Sequence, residues 1–244
     1  MPQTSLVAWL SKPAATDAPK AQPRDEVQSP TLPAVSDDDT PPRGAPKSNM
    51  TPKSPLRIKG LPPNVELREC RQEDIKSFKR LNSLLLPIPY GDTFYHEIME
   101  DEVTGNLTLM ALWHDSLSCP EKNKPVLVGA IRCRLLASLP GATFSIRRKE
   151  GPMLYLSTLV LLSPYRGHGI AASLLDTMVR RAVDAYGVAS VGAHVWEANE
   201  EGLAWYRKRG FKKVSREENY YRRLNPQGAV VVMKDVGVMD LLGD

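Results

Sequence analysis

Apolar residues recur along this chain with two different periods, and the switches between them mark its elements. NVELREC (64–70) reads as a first strand. RQEDIKSFKRLNSLLL (71–86) sets Ile75, Phe78 and Leu81 at helical spacing, which predicts a helix. Asp92 stands where it would cap a second short helix carrying Phe94, Tyr95, Ile98 and Met99 on one face. LTLMALW and VLVGAIRCRLL then read as strands, and the polar HDSLSCPEKNKP between them predicts an antiparallel hairpin. A loop, LASLPGATFSIRRKEGP, leads to the strand MLYLSTLVLL.

Past residue 169 the period lengthens again. Ala171, Leu174, Leu175, Met178 and Ala182 share one stripe, so a helix is predicted from about Gly169 to Tyr186, with Gly187 as its C-terminal cap. VASVGAHVW is a strand, and NEEGLAWYRKRG is a short helix with charge signatures at both ends. Asn199 is its capping residue; Glu200 and Glu201 sit at the positive end of the helix dipole, and Arg207, Lys208 and Arg209 at the negative end. Gly210 turns the chain into FKKVSREENYY, and AVVVMKDV is a last strand. The fold class is therefore α/β.

Composition divides the chain. Thirteen of its 21 prolines fall in the first 63 residues, among Ser, Thr, Ala and mixed charges. Such a segment buries too little apolar surface to offset the entropy of ordering it, so residues 1–56 are read as a disordered tail before a folded domain at 57–244. The tail holds four proline-directed hydroxyls (Ser29, Thr40, Thr51, Ser54), an acidic SDDDT, and an opening PQTSLVAWLSKP. In that opening, Gln3, Leu6, Trp9 and Leu10 approximate a motif that docks on DNA sliding clamps, although short degenerate motifs match by chance and an unused amphipathic turn is the plainer reading.

The net charge of +4 is too small and too evenly spread to argue for nucleic acid. Three cysteines (Cys70, Cys119, Cys133) form no CxxC, and the four histidines show no zinc-ligand spacing, so neither a disulfide framework nor a metal is expected. No apolar run reaches the ~18 residues of a membrane span, and the N-terminus lacks the pattern of a transit or signal peptide. The expected location is cytosol, with the nucleus as a second compartment.

Chemistry concentrates at SPYRGHGIAAS (163–173), a tight run of small residues between a strand and a helix. The first backbone N–H groups of a helix lack internal partners, the dipole adds partial positive charge, and missing side chains let an anion approach. There is no Gly-Lys-Ser/Thr for a triphosphate loop, and the third glycine and downstream acid of a dinucleotide fingerprint are missing. Read alone, the stretch is an anion site or an ordinary tight turn.

Two signatures together go further. Arg166-x-x-Gly169-x-Ala171 resembles the acetyl-coenzyme A loop of the GCN5-related N-acetyltransferases, and N-E-x-x-L-x-W-Y-x-x-x-G-F (Asn199 to Phe211) resembles the second signature of that superfamily. KRLNSLLLPIPYGDTFY (79–95), LYLSTLVLLSPYRGHGIA (154–171), AHVWEANEEGLAWYRKRGF (193–211) and NYYRRLNP (219–226) are similar to the N-alpha-acetyltransferase 50 family, catalytic subunits of the NatE N-terminal acetyltransferase. The resemblance covers roughly residues 64–236. It implies a mixed central sheet of about seven strands flanked by about four helices, and acetyl-CoA as cosubstrate without a metal.

What the resemblance implies for individual residues is specific. Tyr155 and His194 are the catalytic pair, acting on the amine through ordered water. Leu159 and Leu161 lie where backbone pairs with the pantetheine arm. Arg166, Gly167, His168, Gly169, Ile170 and Ala171 form the pyrophosphate loop, with Asn199 and Tyr206 beside the coenzyme. Leu86, Pro87, Ile88 and Tyr90 line an apolar pocket for an initiator methionine, whose flexible thioether suits irregular walls. Ser157, Tyr220, Tyr221 and Leu224 complete the peptide site. Leu86, where an aromatic is usual, and Pro89 depart from the family pattern.

The implied activity is transfer of acetyl to the α-amino group of Met-initiated peptides with an apolar second residue. The implied partners are nascent peptide N-termini, NatA subunits and the ribosome. The alternatives are a lysine or self-acetyltransferase, or a docking subunit without catalysis.

Overall fold

The computed structural model describes residues 60–115, 124–137 and 151–237. The tail with its clamp-like motif and hydroxyls, Cys119, and most of the loops 114–125 and 137–152 lie outside the described residues.

Seven strands form one mixed sheet: β1 (Val65–Glu69), β2 (Thr108–Trp113), β3 (Val126–Leu136), β4 (Met153–Leu161), β5 (Ser190–Trp196), β6 (Lys212–Glu217) and β7 (Ala229–Asp235). Their order across the sheet is β1-β2-β3-β4-β5-β7-β6. Every pairing is antiparallel except β4 with β5, which the helix α4 (Ile170–Tyr186) connects as a crossover. Four further α-helices are α1 (Ile75–Leu85), α2 (Asp92–Glu100), α3 (Glu102–Asn106) and α5 (Glu200–Lys208), and short 3-10 turns stand at Gln72–Asp74 and Ser163–Tyr165.

The two sheet faces carry separate cores. On one, Ile170, Leu174 and Met178 of α4 are fully buried against Leu67, Leu109, Ile131 and Leu156. Each such side chain contributes about 1.5–3 kcal/mol of burial. On the other, Phe78 and Leu81 of α1 and Phe94, Tyr95 and Ile98 of α2 cover Met110, Ala130 and Val160. Arg132 lies in this second core at 1% exposure, its guanidinium 3.8 Å from the Phe94 ring centre and ion-paired with Glu97. Both faces of β3 are covered along this stretch, so no alternation of apolar and polar residues signals that Arg132 is buried.

The stop and start signals hold where glycine supplies them. Gly169 caps α4 at its N-terminus with φ +77°, and Gly187 closes its C-terminus by donating to Val183 O. Asn199 caps α5, its Oδ1 accepting from Gly202 N at 2.9 Å.

One helix expectation needs correction. Asp92 is not the cap of α2: Gly91 is, and Asp92 is the first helical residue, its carboxylate held by Lys79 of α1. A carboxylate at that position still faces the positive end of the dipole. The short α3 also adds a fifth helix, started by Asp101, whose carboxylate accepts from Thr104 N at 2.8 Å.

Irregular pairing opens the sheet at its centre. β4 pairs with β5 only from Met153↔Ser190 to Tyr155↔Gly192, although β4 runs on to Leu161 and β5 to Trp196. In the β3–β4 ladder Cys133 faces Leu156 and Arg132 faces Thr158, so Ser157 is an extra residue. Such a bulge bends the strand and takes its residue out of the ladder.

Candidate active site

Tyr155 and His194 stand where β4 and β5 part. The Tyr155 hydroxyl lies 3.0 Å from His194 Nδ1 and 3.2 Å from the Tyr220 hydroxyl. Tyr220 stacks flat on the His194 ring, with centroids 4.3 Å apart and planes at 8°. The other imidazole nitrogen, Nε2, is 2.9 Å from Glu217 Oε1. Tyr221 packs edge-on against Tyr220 and donates its hydroxyl to the His194 carbonyl at 3.3 Å. One histidine is thus held on both ring nitrogens and on one face.

Burial, reinforced by Tyr220, pushes the Tyr155 phenol well above its ordinary range. A buried phenolate would lack solvation, so Tyr155 rests as a neutral hydroxyl. Burial likewise pushes Tyr90, Tyr220 and Tyr221 upward. The wall beside His194 is therefore neutral and aromatic.

The segment between α1 and α2 borders the same cleft. Tyr90 donates to Ser157 O at 2.6 Å, reaching the bulge, and its ring stacks on Phe94 at 3.8 Å and 10°. Leu86 is half-buried against the α1–α2 core, Ile88 is buried, and Pro87 is exposed. Leu224 is half-buried in the turn after the paired tyrosines, donating its N–H to Tyr221 O at 2.9 Å. The Ser157 Oγ is enclosed and has no hydrogen-bond partner.

At the mouth of α4, Gly167 and Gly169 adopt φ of +82° and +77°. A Cβ at either would meet no atom within 4 Å beyond its own chain neighbours, so the left-handed backbone, not crowding by the rest of the protein, calls for glycine. His168 is exposed, Ile170 is buried, and Ala171 is half-buried. Arg166 donates from Nε to Leu161 O at 3.4 Å and pairs with Glu201 of α5 at 3.6 Å. Leu159 and Leu161 pack toward the α4 side, on the stretch of β4 that β5 has left. Tyr206 is half-buried, edge-on to Trp205 and Phe211, and burial raises its phenol too.

A family model described as "Acetyltransferase (GNAT) family" matches residues 76–211. The chain belongs to this acetyltransferase family. It is 30% identical over 172 residues to "N-alpha-acetyltransferase 50" of Danio rerio, covering 70% of this chain and 89% of that protein. It is 32% identical over 171 residues to "Probable N-acetyltransferase san" of Drosophila melanogaster, covering 70% and 80%. Among solved structures, "Arabidopsis thaliana Naa50 in complex with bisubstrate analogue CoA-Ac-MVNAL" superposes with a TM-score of 0.55 at 29% identity, covering 70% of this chain and 98% of that one.

The features of this acetyltransferase fit a long ligand with an anionic end. The parted strands expose a backbone edge from Leu156 onward, and that edge leads to the glycine-lined start of α4. Among the described residues, no cluster of His, Cys, Asp and Glu is placed to hold a metal ion.

Sequence reading missed two parts of the site. Glu217 lies in a charged run, SREEN, that reads as a solvated edge. The Ser157 bulge leaves no mark in a strand of ordinary apolar residues. Only the register across neighbouring strands reveals either.

Proposed function

We propose that this acetyltransferase, drawing its acetyl group from acetyl-CoA, acts on the α-amino group of Met-initiated peptides with an apolar second residue. The observation that carries this reading is the Tyr155–His194 pair, set at the opening between β4 and β5 and walled by Tyr220 and Tyr221. The relative solved with a CoA-Ac-MVNAL analogue supports a methionine first residue.

In this reading the pyrophosphate sits on the start of α4, and the pantetheine arm runs along β4 past Leu161 and Leu159. The amine attacks the thioester carbonyl; the new C–N bond forms and the C–S bond breaks, releasing the thiol form of the coenzyme. An α-amino group titrates near ~8, so a modest base is sufficient. Both His194 nitrogens already have partners, so the amine proton reaches Nδ1 by way of the Tyr155 hydroxyl. That hydroxyl accepts one proton as it hands on its own. Tyr206, a neutral phenol, is the donor assigned to the departing thiolate.

Leu86, Pro87, Ile88 and Tyr90 receive the methionine side chain, with Ser157 behind them, while Tyr220, Tyr221 and Leu224 bind the peptide that follows. A cleft walled by paired tyrosines disfavours an internal lysine, whose chain must exit in two directions. Docking to NatA-type subunits at the ribosome, in cytosol or nucleus, is the corresponding proposal for partners; its support is the resemblance of the PIPY and NYY segments.

The test is turnover of acetyl-CoA by the purified chain with Met-Leu and Ser-Glu peptides and with an N-terminally blocked lysine peptide. Acetylation confined to Met-Leu is expected. No turnover on Met-Leu, or faster turnover on the blocked lysine peptide, overturns the reading.

A further inference from the structure

His194 is fixed by a residue outside every recognised motif of the chain. Its side chain is only 1% exposed, and its Nε2 meets Glu217 Oε1 at 2.9 Å; Glu217 itself keeps 23% of its side-chain surface. The two residues stand on β5 and β6, and β7 lies between those strands.

A one-residue irregularity brings them to the same face. β6 pairs with β7 in one register at Lys212↔Met233 and Lys213↔Val232, then in another from Ser215↔Val231 to Glu217↔Ala229. Val214 is the extra residue. On β7, Ala229 and Val231 face Trp196 and His194 of β5. Directly paired residues of an antiparallel ladder project to the same side, so the shift places Ser215 and Glu217 on the side of His194. Without it, Glu217 would point to the opposite face.

We infer that Glu217 is a positioning residue for acetyl transfer: its carboxylate accepts the Nε2 proton of His194 and fixes the tautomer whose bare Nδ1 faces the Tyr155 hydroxyl. This rests on the reading that the Tyr155–His194 pair is the proton-accepting centre. The chemistry follows from the donor inventory. A carboxylate only accepts, so the nitrogen facing it carries hydrogen, and in a neutral imidazole the other nitrogen must then be an acceptor. Tyr155, a neutral phenol, supplies the donor that this acceptor needs. When Nδ1 takes the proton, the resulting imidazolium keeps its Nε2–H on the carboxylate. Tyr220, stacked on the ring, prevents the imidazole from turning away.

The experiment uses the full chain with Glu217→Ala, with Glu217→Met as a variant of similar length that cannot accept from N–H, and with Glu217→Gln as a partial rescue. Two readouts are taken. Ring-nitrogen NMR, with the His194 signal assigned by its loss in His194→Asn, reports the tautomer. Steady-state kinetics on a Met-Leu peptide separate kcat from KM. The expected result for Glu217→Ala and Glu217→Met is loss of the pure Nε2–H tautomer. Their kcat falls about tenfold to a hundredfold, the range typical for removing a partner that orients a metal-bound histidine, taken here as the guide. KM for peptide and acetyl-CoA stays within about twofold of wild type, because the role assigned to Glu217 is exerted through His194 and not on either substrate. Glu217→Gln, whose amide oxygen still accepts, recovers the tautomer and part of kcat. An unchanged tautomer, or an unchanged kcat, in the Ala and Met variants overturns the inference. Should the wild-type chain acetylate no peptide, the functional reading falls by itself, and the tautomer readout still decides the role of Glu217.

Discussion

Tyr90 and Ser157, 67 residues apart in sequence, are joined by a 2.6 Å hydrogen bond from the phenol to the carbonyl of the bulge residue. Tyr90 also stacks on Phe94, so the segment between α1 and α2 is tied both to the second core and to β4. The proposed methionine pocket and the strand proposed to run beside the thioester are therefore one mechanical unit.

Replacing Tyr90 by Phe keeps the stack and removes the hydrogen bond. The expected loss of stability is about 1 kcal/mol, the net worth of one such bond. The pocket wall loosens as well, so the KM for a Met-Leu peptide should rise about fivefold while the KM for acetyl-CoA stays put, a change equivalent to about 1 kcal/mol. Denaturant melts and steady-state kinetics check both. A peptide KM equal to wild type would mean that the segment is positioned without this bond.

Gly169→Ala separates backbone strain from ligand contact. The φ of +77° costs an alanine about 1 kcal/mol, which a thermal melt should show. Beyond its chain neighbours no atom lies within 4 Å of the added Cβ, so the protein alone predicts nothing further. If pyrophosphate rests on this helix start, coenzyme A affinity measured by calorimetry should fall about tenfold or more, beyond what the melt accounts for. Wild-type affinity for coenzyme A in the variant would move the anion elsewhere.

Six tyrosines set a pH limit. Burial is the largest influence on Tyr90, Tyr95, Tyr155, Tyr206, Tyr220 and Tyr221, and all are shifted upward. In the unfolded chain each would ionise near ~10, so above that pH the unfolded state binds fewer protons than the folded one. Their contribution to stability is complete below about pH 10 and is lost as pH climbs past it, by up to about 1.4 kcal/mol per pH unit for each group. Followed from neutral pH upward in a Tyr165→Phe, Tyr186→Phe background, which leaves only these six phenols, phenolate absorbance and far-UV ellipticity should change in one step. Phenolate formation by these residues with intact ellipticity would contradict the burial described.

Much of this layout was legible in the sequence, for reasons tied to particular residues. The boundaries of α4 follow from Gly169 and Gly187, because few other residues accept those backbone angles. The start of α5 follows from Asn199, because a short polar side chain satisfies an orphan N–H. The pairing of Tyr155 with His194 was legible only through family resemblance, since periodicity places each on a strand without saying that the strands part between them. Glu217, the bulge at Ser157 and the burial of Arg132 were not legible. A bulge is a relation between two strands, and a buried arginine depends on partners such as Glu97 and Phe94 that lie 35 and 38 positions away in the chain. Asp92 was misplaced by one position because Lys79 on another helix, not the local backbone, engages its carboxylate.

The extra residue at Val214 has one more consequence. Arg216 and Glu217 are adjacent and opposite in sign, and successive strand residues point to opposite faces. In the first register of β6, continued unbroken, Arg216 would have come opposite Ala229 and so stood on the His194 side. Which of these two neighbours, the anion or the cation, faces the imidazole is thus decided by the length of an edge strand, counted to a single residue.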